Sequence, residues 1–189
     1  MSRKMLVILG CLSFVSRLGF AETAPSPAKT AALKALSGMS AFSHKEKYSE
    51  AISDLYLGYD TEGKPRMAVV LRSFKTYEKV TAMVVVREQD GNVVVERADI
   101  PDANTIKAAD KRAKVTDAIK GITGKTVKTT SGEVSGIDAT TGATRYQARI
   151  YASFDLMVRA ALAELAANPD WPRTVSAVST APAPELGAR

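Results

Sequence analysis

The sequence predicts an α+β domain: an antiparallel sheet of about four strands packed against helices, with one long helix towards the C-terminal end. Three observations predict it. Apolar, β-branched runs between Leu55 and Val95 are separated by turn signals, as in a meander. Asp90-Gly91 between Val84-Val85-Val86 and Val93-Val94-Val95 is a strong short-range hairpin signal. From Tyr146 onward, Ile150, Phe154, Met157, Ala161 and Leu165 recur at three- and four-residue intervals, the apolar stripe of a helix.

The chain opens as an export signal. Arg3 and Lys4 precede an apolar run from Met5 to Val15, and Gly19-Phe20-Ala21 places small residues at a cleavage site, so residues 1–21 read as a signal peptide. The run is shorter than the roughly 20 apolar residues of a bilayer span, and Arg17 interrupts its extension. An uncleaved N-terminal anchor ranks second, and a lipoprotein site at Leu9-Gly10-Cys11 third. Cleavage removes Cys11, the only cysteine, so the mature fold rests on its core rather than on a disulfide. It also removes Arg3, Lys4 and Arg17, which takes the formal net charge from +6 to +3. That excess reads as ordinary solubility, and nucleic acid is not an expected partner.

Residues 22–29 are rich in Pro, Ser and Ala and read as a tether. Helical pattern follows from Thr30 to Leu36, ending at Gly38, with a weaker repeat from His44 to Ile52. His44 is the only histidine and reads as solvated surface; with no second histidine and no mature cysteine, no transition-metal site is expected.

Strands are expected at Leu55–Tyr59, Met67–Leu71, Val80–Val86 and Val93–Val95, with Asp60–Gly63 and Gln89–Asn92 as turns. The two Val-Val-Val runs are continuous rather than alternating, which implies burial on both faces. After Pro101-Asp102, Ile106, Ala109, Ala113 and Ile119 mark a weak helical stripe. Lys107, Lys111, Arg112, Lys114 and Lys120 fill the rest of that segment, either as a solvated face or as a docking face for an acidic redox partner. Gly121 and Gly124 read as a helix end and turn. The long helix ends at Asn168-Pro169, and residues 169–189 read as a flexible tail.

Between these helices lies Ser135-Gly136-Ile137-Asp138-Ala139-Thr140-Thr141-Gly142-Ala143-Thr144-Arg145-Tyr146. Two glycines, three threonines and an aspartate run straight into the first turn of the long helix. Unpaired N–H groups and the positive end of the macrodipole suit a phosphate there, and Gly142 and Ala143 leave room for a large ligand. The plain alternative is that Thr144 only caps the helix.

Asp138-Ala139-Thr140-Thr141-Gly142-Ala143-Thr144 resembles the flavinylation motif of the FMN-binding domain family, which includes the flavin-carrying extracytoplasmic subunits of the Rnf and Nqr redox complexes. The family pattern is Asp, two variable residues, Ser or Thr, Gly, Ala, then Thr or Ser, followed by a helix. The resemblance implies that Thr144 is esterified to the phosphate of FMN by a flavin transferase. Asp138, Thr141, Gly142 and Ala143 then form the recognition frame, and residues 30–168 form the FMN-binding domain. Where the family often has Thr or Ser two positions after the modified residue, this chain has Tyr146. It also lacks an upstream Glu-Thr-Pro-Gly-like loop, so no contact to the flavin ring carries over; Tyr56, Phe74 and Tyr77 are stacking candidates, for each of which plain core or edge packing ranks first.

The implied protein is an exported electron carrier, periplasmic or on the outer face of the cytoplasmic membrane. It carries covalent FMN and works with a redox partner such as a membrane redox complex or a cytochrome. It is the substrate of the transferase rather than a catalyst, because no nucleophile–base–orienter set accompanies His44. Two alternatives remain: a non-redox periplasmic binding or scaffold module, and noncovalent FMN binding.

Overall fold

The structure is a computed structural model that describes residues 25–127 and 145–176, with backbone alone at 145 and 146. Five consecutive strands form an antiparallel meander: β1 (Ala41–Glu46), β2 (Asp54–Tyr59), β3 (Pro65–Lys75), β4 (Lys79–Gln89) and β5 (Asn92–Asp99). Two short strands extend it, β6 (Thr126–Val127) beside β5 and β7 (Arg173–Val175) beside β1, giving the order β6-β5-β4-β3-β2-β1-β7. The α+β class and antiparallel sheet agree with the sequence reading, but the described sheet has seven strands rather than about four.

The extra strands lack an apolar period. β1 reads Ala-Phe-Ser-His-Lys-Glu, and the helix expected from His44 to Ile52 is not formed there. Pairing with β2 overrides the weak local pattern, and the chain then turns through Lys47, whose φ is 50°. β6 and β7 are two and three residues long, too short to show any period. The tight turns are where turn chemistry put them. Asp90 and Gly91 both have positive φ between Gln89 and Asn92, and the Asp60 carboxylate accepts hydrogen bonds from the Glu62 and Lys64 N–H groups.

Both faces of the central strands are covered. Leu55, Leu57, Ala68, Val70, Ala82, Val84 and Val86 point into one buried cluster, and Tyr56, Met67, Val69, Leu71, Met83 and Val85 into the other. The run Val84–Val86 is buried on both faces as expected, but in Val93–Val95 the middle residue, Val94, is only half-buried. The first cluster is closed by α2 (Ala109–Lys120) and α3 (Arg145–Ala167), the second by α1 (Pro27–Ala35). In α1, Ser26 caps the Lys29 N–H, Pro27 occupies the first turn, and Ala28 and Ala32 are buried beside Leu36. The stretch expected to be a tether therefore contributes its last three residues to a packed helix. Burying Leu36 alone contributes about 1.5–3 kcal/mol.

In α2 the buried residues are Val115, Ala118 and Ile119, whereas Ala109 and Ala113 are exposed. α3 is 23 residues long and buries Ile150, Phe154, Met157, Val158 and Ala161 against the sheet, following the stripe read from the sequence. It stops at Asn168, in the left-handed region with its N–H on the Glu164 carbonyl. The following segment is held as well: Trp171 meets Tyr48 edge-on at 6.4 Å, and the Arg173 guanidinium lies 4.0 Å from the centre of the Tyr59 ring. Among the described residues no helix is long and apolar enough to cross a membrane. Residues 1–21, read as the export signal, lie outside the described residues.

Candidate functional site

Asp138, Thr141, Gly142, Ala143 and Thr144 lie outside the described residues; α3 begins at Arg145, the next residue in the chain. What the structure describes is the frame around the start of that helix. α3 is pinned across β3 and β4 through Ile150, Phe154 and Met157, so its first turns have a fixed position over the sheet. Further along α3, from Arg149 onward, opens a cleft of about 400 Å³, lined by Arg72, Phe74 and Lys75 from β3 and by Arg149, Ala152, Ser153 and Leu156 from α3.

Three of its walls are cationic, and no carboxylate is among the described residues that line it. Arg72 is the anomaly. Its Nε and Nη1 atoms are buried, and among the described residues neither has a hydrogen-bond acceptor. A buried N–H without an acceptor costs about 1–3 kcal/mol, and more on a charged group. Ser153 is 6% exposed, while Lys75 and Arg149 reach solvent. An anion with an aromatic body matches this lining: cationic N–H groups for its charge and the Phe74 ring for its flat surface.

The three aromatic candidates from the sequence are not brought together. Phe74 lines the cleft. Tyr77 stands at the β3–β4 turn with the Lys111 ammonium of α2 5.2 Å from its ring centre. Tyr56 is on the opposite face of the sheet, stacked on His44 with ring centres 4.1 Å apart and planes 3° from parallel. Sequence reading missed Arg72. The available signal was a charge interrupting the alternation Ala68, Val70, Arg72, Phe74 on the α3 side of β3.

A second polar cluster lies under α1. His44 Nε2 is 2.9 Å from Asp54 Oδ1, and Lys29 pairs with both Glu46 and Asp54. His44, expected as solvated surface, is therefore anchored to a buried aspartate. The hydrogen bond to Glu46 holds the Lys29 ammonium above its ordinary value, and the same bond holds Glu46 below its own. Burial, with Asp54 nearby, pushes the Tyr56 phenol up to about 12. This cluster fastens α1 to the sheet. No set of three or more His, Cys, Asp or Glu among the described residues could hold a metal ion.

The basic segment expected around α2 is partly committed to structure. Arg112 donates to the Ile106 carbonyl, Lys111 covers Tyr77, and Lys120 pairs with Asp117. Lys107 and Lys114 are exposed. Comparison with protein-family models, curated proteins and solved structures found no match.

Proposed function

We propose that this chain is an exported electron carrier whose FMN is esterified through its phosphate to Thr144, as its resemblance to the FMN-binding domain family implies. The observation that carries the reading is one of position. The intact Asp138–Thr144 motif runs directly into a long helix packed on the sheet, and a cationic cleft with one aromatic wall runs along that helix from Arg149 to Leu156.

The residues present fit an anionic, flat group, on the ground of the two Arg72 nitrogens that lack an acceptor among the described residues and of the Phe74 ring beside them. FMN supplies the redox chemistry when bound, and the chain fixes its orientation, its exposure and the charge around it. Thr144 contributes its hydroxyl oxygen, which becomes the bridge to phosphorus, so the adduct equals FMN less one water. Asp138, Thr141, Gly142 and Ala143 present that hydroxyl to the flavin transferase. Catalysis stays with the transferase, and this chain acts as carrier. Lys107 and Lys114 on the exposed side of the basic segment offer a face to an acidic redox partner, a membrane redox complex or a cytochrome.

The test is co-expression with a flavin transferase, followed by denaturing electrophoresis. Flavin fluorescence that stays with the wild-type band and vanishes in Thr144→Ala supports the reading. Fluorescence absent from the wild-type band favours a binding or scaffold module, and a yellow native protein that loses its colour on denaturation favours noncovalent FMN.

A further inference from the structure

Side chains along β3 alternate between the two faces of the sheet. Met67, Val69 and Leu71 belong to the α1 side, Ala68 and Val70 to the α3 side. Position 72 falls on the α3 side, where the period calls for another apolar residue. Its partner across the β3–β4 ladder, Ala82, is fully buried. The chain has arginine there, with Nε and Nη1 buried and without an acceptor among the described residues. A guanidinium in that setting is unfavourable unless something anionic meets it. The next residue on the same face is Phe74, and Lys75 and Arg149 add two cations at the mouth.

We propose that this cleft seats the isoalloxazine ring of the flavin, with Phe74 against the ring and Arg72 as the cationic partner of its pyrimidine edge. The assignment rests on the flavin reading above. Distance favours the ring over the phosphate. Arg149 lies four residues after Arg145, about 6 Å along the helix axis, and the cleft continues to Leu156. A phosphoryl group tied to the side chain before Arg145 is held at the start of that span, and the ribityl chain carries the ring along it. An aromatic wall also serves a flat ring and adds nothing to a phosphate.

The consequence is a raised midpoint potential. Uptake of two electrons and one proton leaves the flavin with one negative charge, concentrated on the pyrimidine edge. A guanidinium there, with two of its nitrogens buried, stabilises the reduced form more than the oxidised form. Lysine at 72 keeps the charge and loses the planar fork, so it restores only part of the effect.

The experiment uses the full chain matured with a flavin transferase, as wild type and as Arg72→Gln, Arg72→Lys and Phe74→Ala. Intact mass comes first, and a wild-type chain without the adduct overturns the flavin reading and this assignment with it. On adduct-bearing proteins, dithionite titration against reference dyes gives the midpoint potential. The expected result is a more negative potential in Arg72→Gln, an intermediate one in Arg72→Lys, and a Phe74→Ala flavin whose fluorescence iodide quenches more readily. A folded, flavinylated Arg72→Gln with the wild-type potential overturns the assignment. Should Arg72→Gln fail to fold, Arg72→Lys with an unchanged potential and Phe74→Ala with unchanged quenching overturn it equally.

Discussion

Arg72 stands directly opposite Ala82 in the β3–β4 ladder, so a guanidinium shares a cross-strand site with a fully buried methyl group. Its two buried nitrogens lack an acceptor among the described residues. Replacing such a charge by an apolar side chain of similar volume is neutral or stabilising. Arg72→Met is therefore expected to stabilise the unflavinylated protein by about 1–3 kcal/mol in chemical denaturation. Destabilisation by that amount would mean that the arginine serves the fold.

The α1 side is packed without slack at Gly58. A β-carbon built there meets Met39 Cγ at 2.5 Å and Leu36 Cδ2 at 2.9 Å. Gly58→Ala is expected to cost about 1–3 kcal/mol through overpacking. Pairing it with Met39→Ala, which opens the space, is expected to recover part of the loss. Urea denaturation of the single and double variants checks both statements, and full additivity of the two losses would contradict them.

Alkaline pH is expected to loosen the same region. Tyr56 is raised from 10.0 to about 12, with burial as the main cause. A group raised in the folded state contributes stability that is complete below its unfolded value and lost as pH rises through the folded one. The Tyr56 contribution is thus present below pH 10 and disappears towards pH 12, in total on the order of 2 kcal/mol. Lys29, also raised, acts in the same direction from about pH 10.5 upward. Tyr56→Phe removes the ionising group, so its melting temperature is expected to fall less steeply than that of the wild type between pH 9 and 11. Parallel profiles would contradict the assignment.

How far the fold was legible depended on whether a segment carried its own period. The stripe Ile150, Phe154, Met157, Ala161 is long enough to fix both the type and the buried face of α3. The valine runs of β4 and β5 and Asp90-Gly91 between them were equally plain. β1 was misread because Ser43, His44, Lys45 and Glu46 carry no apolar alternation, and only pairing with β2 makes them a strand. β6 and β7 are shorter than any period. In the candidate site, the motif Asp138–Thr144 was legible as a pattern of residue types, and it lies outside the described residues. Arg72 was not legible, because its meaning depends on which face of β3 lies under α3, a tertiary fact.

The C-terminal segment beyond α3 bears weight through Arg173, whose guanidinium covers the buried Tyr59 ring and donates to the Gly63 carbonyl. Arg173→Ala is expected to cost about 0.5–2 kcal/mol, most of it from the lost contact with the ring. Thermal denaturation at low and high salt checks this, and a variant as stable as wild type would show that the contact is incidental.

The decisive measurement is peptide mass mapping of the full chain after co-expression with a flavin transferase. A flavin carrier of the proposed kind yields one modified peptide, heavier by FMN less one water, with fragmentation placing the addition on Thr144 and no such peptide from Thr144→Ala. An unmodified Thr144 peptide from fully matured material, or an adduct that persists in Thr144→Ala, contradicts the carrier reading.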